Sequence, residues 1–250
     1  MSRGFYTLAS GMLTQQRKID ISSNNIANMN TAGYKKEQAV TSNFGSLLIN
    51  KYKQNGINEE ATPINNVSLI RILEENNSIH SQGSLEETGS ITDFAIMGAG
   101  FFAIDSNGQI LYTRNGSFNI DEEGYLILEG SGRVQGEFGD IYIGTDKFVF
   151  SEDGSITVDD EVIDNIAVYD FADYNSLNKI REGLFTSNIE PDLVDYPLIV
   201  NNTIERSNVN ITEEMTGMMS SQRALQSAAQ ALKIYDMIND KAVNEIGKIG

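Results

Sequence analysis

The last forty residues constrain this chain most. From Ile211 to Gly250 there is no proline, and glycine occurs only at 217, 247 and 250. Apolar residues return at helical spacing: Ile211, Met215, Met218, Leu225, Ala228, Leu232, Tyr235, Ala242 and Ile246. From Leu225 the steps run three, four, three, with Asn239 in the next slot before Ala242, a heptad pattern. Asn210 followed by Glu213 reads as a helix start, because both side chains can satisfy orphan N–H groups of the first turn. Such a helix is about 55 Å long at 1.5 Å per residue, and its apolar seam is narrow. It needs a partner.

A second helical stretch, residues 2–28, lies at the other end. Phe5, Met12, Ile19 and Ile26 recur every seven residues, and Leu8, Gln15 and Ser22 sit three after the first three. The two heptad-like segments are the two chain ends. The expected fold is therefore α+β: long N- and C-terminal helices forming a coiled-coil-like pair, with an inserted, mainly antiparallel β domain. Residues 1–35 and 205–250 form the helical assembly part, 36–93 and 172–204 are connectors, and 94–171 is the β domain. Helices with so little apolar surface gain too little to order themselves alone and are expected to fold on neighbouring copies.

The β domain is read from turn chemistry. Asp105-Ser106-Asn107-Gly108, Asp121-Glu122-Glu123-Gly124 and Ser151-Glu152-Asp153-Gly154 are hairpin-like, each ending in a glycine able to take a positive φ. Between them run strand-like stretches, Gln109 to Arg114 and Tyr125 to Leu128. Pro63 and several asparagines break up residues 36–93, and Pro191 and Pro197 lie in 172–204.

Charge and composition exclude several classes of function. The net charge of -17 is carried by the middle of the chain. Residues 1–40 hold five basic against two acidic side chains, and 207–250 hold four against five. An acidic middle repels phosphates, which disfavours nucleic acid. There is no cysteine and one histidine, so disulfides, thiol chemistry and most zinc sites are excluded. The histidine, His80, lacks ligand-like neighbours and reads as a surface residue. No apolar run is long enough to span a bilayer; Phe94 to Ile104 stops at Asp105. The first residues lack the apolar core of a cleaved signal peptide. Adjacent acidic residues such as Glu74-Glu75 and Glu86-Glu87 do not make a carboxylate pair across a cleft. No nucleophile elbow, P-loop or EF-hand spacing is present, so no enzyme, cofactor or small-molecule substrate is expected. Gly98-x-Gly100-x-x-Ala103 matches a dinucleotide fingerprint as a string, but its glycines lead into a strand rather than a helix. Close backbone approach within a sheet is the expected reason for them.

Three separated motifs carry a family resemblance. Ala27-Asn28-Met29-Asn30-Thr31-Ala32-Gly33-Tyr34-Lys35 resembles the Ala-Asn-x-Asn-Thr-x-Gly-Tyr-Lys of flagellar basal-body rod and hook proteins. Asp93 to Phe102, containing Gly98, Gly100, Phe101 and Phe102, is similar to their Leu-Asp-x-Ala-Ile-x-Gly-x-Gly-Phe-Phe, with Thr92 in place of leucine. Tyr112-Thr113-Arg114-Asn115-Gly116-Ser117-Phe118 and Gly124-Tyr125-Leu126 follow in the family order. Ile204-Glu205-Arg206-Ser207-Asn208-Val209 resembles the entry to the family's last helix, with Asn202 where glycine is usual. Leu225-Gln226 stands where the family has Tyr-Glu.

The resemblance implies a structural subunit of the rod, exported through the flagellar apparatus without a cleaved signal and located in the basal body. Its implied partners are copies of itself, other rod subunits, the hook protein, the export apparatus and bushing-ring proteins. Phe5, Leu8, Met12, Ile19, Ile26, Met218, Leu225, Leu232 and Tyr235 are the expected assembly contacts. The alternatives are a hook or hook-associated protein of the same family, or a non-flagellar extracellular β module, sugar-binding, with oligomerising ends.

Overall fold

The computed structural model describes residues 3–43, 71–144, 148–151, 154–158 and 161–246. They fall into two compact units. One contains the described residues within 1–26, 37–78 and 210–250; the other contains those within 27–36 and 79–209.

The first unit holds both long helices. Helix α1 spans Arg3–Ala27 and ends at the Asn-rich turn expected to stop it. A two-stranded antiparallel ribbon follows, β1 (Glu37–Asn43) against β2 (Arg71–Ser78). Helix α2 spans Ile211–Ile246. Asn210 caps it as its sequence position requires: the side-chain Oδ1 accepts from the backbone N–H of Thr212 at 3.0 Å and of Glu213 at 3.3 Å. Glu214, Met218, Ser221, Leu225, Ala228, Leu232 and Tyr235, with Ala231 beside them, are the less exposed positions of α2, the first seven stepping four, three, four, three, four, three. This is a heptad seam, and two of its slots are polar. On α1 the deepest side chains are Thr14, Ile21 and Asn25, two positions after Met12, two after Ile19 and one before Ile26. Polar burial displaces the seam there. Thr14 Oγ1 donates back to the Ser10 carbonyl at 2.9 Å. Asn25 pairs its amide with both backbone groups of Glu37, donating to the carbonyl and accepting from the N–H at 2.9 Å each.

The second unit is built from antiparallel strands. In chain order they are β3 (Leu85–Glu87), β4 (Phe94–Ile96), β5 (Phe101–Ser106), β6 (Gln109–Thr113), β7 (Asn119–Ile120), β8 (Leu126–Leu128) and β9 (Gly132–Val134). Then come β10 (Phe148–Phe150), β11 (Ser155–Val158), β12 (Glu161–Asn165), β13 (Val168–Asp170), a short 3-10 turn at Tyr174–Ser176, β14 (Leu177–Arg181) and β15 (Leu184–Ser187). The last are β16 (Asp192–Leu193), β17 (Ile199–Asn201) and β18 (Thr203–Glu205).

The main sheet runs β14-β15-β6-β5-β9-β8-β7, with β13 also pairing β5 and β16. β10, β11 and β12 form a separate meander, and β17 pairs β4 while β18 pairs β3. Turns at 105–108 and 121–124 join β5 to β6 and β7 to β8, as their glycines suggest, while the expected turn at 151–154 lies partly outside the described residues. Residues 172–204, mixed in pattern and interrupted by prolines, contribute β14 and β15, which extend the sheet from β6.

The apolar run Phe94 to Ile104 divides into β4, an exposed stretch at Met97 to Ala99, and the first four residues of β5, which is covered on both faces. Successive side chains alternate between faces. Phe102 and Ile104 enter one core with Phe94, Phe118, Leu126 and Ile166; Phe101 and Ala103 enter a second with Tyr112, Phe171 and Phe185. Gly100, at φ +110°, shows why no side chain fits at the start of this strand. A Cβ there would lie 2.5 Å from Val168 Cγ1 on β13. Phe102 is fully buried, with Phe118 packed edge-on at 5.2 Å between ring centres. Phe102→Ala is expected to cost about 3–5 kcal/mol. A urea midpoint equal to that of the unsubstituted chain would contradict this placement.

Candidate functional site

The feature of the second unit with most chemistry in it is a buried ion cluster centred on Glu205. This residue ends β18, and its side chain is 1% exposed. Oε1 accepts from Lys35 Nζ at 2.6 Å and from the Gly83 N–H at 2.8 Å. Oε2 accepts from Arg114 Nη1 at 3.2 Å. The Glu205 backbone carbonyl accepts from the Gly33 N–H at 2.8 Å. The two cations have further acceptors. Lys35 Nζ donates to the Ser81 carbonyl at 2.9 Å, and Arg114 Nη2 to the Gly98 carbonyl at 2.6 Å. Arg114 also lies 5.4 Å from the centre of the Phe101 ring.

Burial pushes the Lys35 ammonium below its usual pKa, and the adjacent Glu205 carboxylate opposes that shift. Burial likewise lowers Arg114, again opposed first by Glu205. Each charge is taken out of water, so the cluster holds only while its partners are in place.

Other motif residues sit around the cluster. Asn28 is buried, and its Oδ1 accepts from Thr31 Oγ1 at 3.3 Å. Gly33 takes φ +68° and leaves no room for a Cβ, which would fall 2.1 Å from the Asn115 nitrogen. Tyr34 is 1% exposed, with Lys179 Nζ 4.9 Å from its ring centre. Asn30 is exposed. Asn208 Oδ1 accepts from the Lys36 N–H at 2.7 Å, while Nδ2 donates to the carbonyls of Ile79 and Ser81. Ser207 Oγ accepts from the Val209 N–H at 3.3 Å. Asn202 takes φ +52° in the turn between β17 and β18, a left-handed conformation that asparagine tolerates and glycine adopts freely. That geometry accounts for asparagine where glycine is usual.

His80 is not the surface residue expected from sequence. Its ring packs among Phe101, Tyr174 and Phe185, at 5.6, 5.2 and 5.2 Å between centres. By contrast, Arg133 stays at the surface. It pairs with Glu123 and Asp140 and lies 3.8 Å from the centre of the Tyr125 ring, an exposed arrangement worth little to stability.

The predicted assembly residues are half-buried. Phe5, Leu8, Met12, Ile19 and Ile26 on α1, and Met218, Leu225, Leu232 and Tyr235 on α2, all keep part of their surface open. Chemically the Glu205 cluster is a joint: its carboxylate is saturated by donors. Lys35, Arg114 and Glu205 all stand in the sequence motifs. What the sequence could not supply was their convergence, since Lys35 and Glu205 are 170 positions apart.

Three family models match this chain, in three segments. Residues 5–35 match the flagella basal body rod protein model. Residues 95–162 match the flagellar hook protein FlgE/F/G D1 domain, and 200–245 match the flagellar basal body rod FlgEFG protein C-terminal model. The chain is 31% identical to the flagellar basal-body rod protein FlgG of Bacillus subtilis, over 98% of this chain and 99% of that protein. The chain belongs to the flagellar basal-body rod protein family. It is also 29% identical, over the full length of both chains, to the flagellar hook-basal body complex protein FlhO of Bacillus subtilis. The same figures hold for the flagellar basal-body rod protein FlgF of Caulobacter vibrioides. These rod-family relatives are named for a structural complex and not for an enzyme. Each matched segment contributes one charged residue to the cluster: Lys35 from the first, Arg114 from the second and Glu205 from the third. The separate signatures of this rod-family chain therefore meet at one point.

Proposed function

We propose that this chain is a structural subunit of the flagellar basal-body rod, polymerising through α1 and α2 into a tube that transmits torque from motor to hook. The helices line a central channel, where they pair in coiled-coil fashion with those of neighbouring copies. The β domain forms an outer layer that resists twisting between subunits. Copies of the same chain, other rod subunits and the hook protein are its partners. The export apparatus delivers it without a cleaved signal, and ring proteins surround the finished rod.

One observation carries this reading. Helix α2 keeps Met215, Met219, Ile234, Met237, Ile238 and Val243 at least half exposed, while its apolar heptad slots Met218, Leu225, Ala228, Leu232 and Tyr235 are only partly covered. An apolar surplus of this kind on one helix marks an interaction surface. The end-to-end similarity to rod proteins supplies the kind of complex in which that surface is used. The similarity to the hook-basal body complex protein FlhO supports a second reading, a subunit next to the hook rather than within the rod.

Leu225→Asp tests the assembly role. An aspartate in a seam slot must be desolvated on polymerisation, at a cost of several kcal/mol. The critical concentration for assembly is expected to rise by roughly a hundredfold or more. The melting of the β unit should stay within about 0.5 kcal/mol of the unsubstituted chain. Normal rods built from this variant would remove Leu225 from the interface.

A further inference from the structure

Residues 79–83 form no helix or strand, yet they make a dense set of hydrogen bonds. The Ile79 N–H donates to the Lys36 carbonyl at 2.8 Å, and the Ile79 carbonyl accepts from Asn208 Nδ2 at 2.7 Å. The Ser81 carbonyl accepts from both Lys35 Nζ and Asn208 Nδ2. Gln82 Nε2 donates to the Ile96 carbonyl at 2.8 Å, and the Gly83 N–H to Glu205 Oε1. The segment is a strap across the residues that follow α1 and those that precede α2. His80 sits in its middle, the one side chain of the strap wedged among aromatic rings. Its Nδ1 is buried and has no hydrogen-bond partner among the described residues, and the same is true of Arg114 Nε.

We propose that the strap is an acid-released latch: protonation of His80 ejects its ring from the Phe101, Tyr174 and Phe185 cluster and frees residues 79–83 from the Lys35–Glu205–Asn208 joint. The surroundings favour the neutral ring. A charged imidazolium would be held among three aromatic side chains, next to two cations, Lys35 and Arg114. The acidic groups within reach of those elements are already engaged. Glu205 accepts from Lys35, Arg114 and Gly83, and Asp170 accepts from the Tyr174 hydroxyl at 2.7 Å and the Phe171 N–H at 2.9 Å. The Tyr174 hydroxyl, pushed up to about 12 by burial and then by Asp170, stays protonated throughout.

Burial, then Lys35 and Arg114, lower His80 from 6.5 to about 4. The docked histidine therefore binds its proton at lower pH than the free one. Stability of the docked strap is complete above the free value and is lost as pH falls from about 6.5 towards 4. From pH 7 to pH 4.5 the opening equilibrium of the strap is expected to rise roughly fiftyfold through this one group.

Because the chain has a single histidine, one imidazole proton resonance reads the titration directly. The expected midpoint lies below pH 5. Hydrogen exchange of residues 79–83, corrected for intrinsic rates, should show protection falling at least tenfold from pH 7 to pH 4.5. That extra loss should vanish in both His80→Gln, which keeps polarity, and His80→Phe, which keeps ring packing, so a folding defect in one variant leaves the other to decide. A midpoint near 6.5, or strap protection that does not change with pH, would overturn the latch. So would the same loss of protection in the two variants as in the unsubstituted chain.

Discussion

Glu205→Ala is expected to destabilise the β unit by about 3–5 kcal/mol, because it leaves two buried cations with no counter-charge. Lys35 and Arg114 would keep their carbonyl acceptors at Ser81 and Gly98 but lose the carboxylate between them. The Gly83 N–H would also lose its acceptor. Urea denaturation of the purified chain reads the loss as a lower midpoint at unchanged slope. The triple replacement Lys35→Met, Arg114→Met, Glu205→Leu separates charge from packing. Removing all three charges together should recover at least half of the loss, since no buried ion remains unpaired. If Glu205→Ala costs less than about 1 kcal/mol, as an exposed pair would, the joint is not buried in solution.

Gly33→Ala carries the second large effect, expected at about 4 kcal/mol. Two costs add. At φ +68° an alanine is held in left-handed backbone, and its Cβ would fall 2.1 Å from the Asn115 nitrogen and 2.3 Å from the Arg114 carbonyl carbon. Neither atom can swing aside, because both are backbone. Gly89→Ala is the matched control: its φ is +75°, and nothing lies within 4 Å of the added Cβ. It should lose only about 1 kcal/mol, the conformational part alone. Equal losses in the two variants would mean that the turn after α1 does not press against the strand end at Arg114.

The parts of the fold visible in the sequence were those set by neighbours along the chain. Helix α2 declares itself through its heptad spacing and the Asn210 cap, and the β hairpins through their terminal glycines. The apolar run at Phe94 to Ile104 is too short for a bilayer and turns out to hold β4 and the first four residues of β5. What stayed hidden depends on pairing at long range. The motif lysine, arginine and glutamate each look like surface charges in their own segment, and only the folded chain brings them together. His80 looks isolated in the sequence because its neighbours Phe101, Tyr174 and Phe185 lie 21, 94 and 105 positions further along the chain. On α1 the heptad pattern points to Met12 and Ile19, which stay half-buried, while Thr14 and Asn25 are buried through hydrogen bonds that no apolar pattern encodes.

The proposed rod role is tested most directly by electron cryomicroscopy of basal bodies from cells lacking the gene for this chain. The account predicts particles with a truncated rod and no hook, restored by the unsubstituted chain and not by Leu225→Asp. Complete rods carrying hooks in the absence of the chain would contradict it.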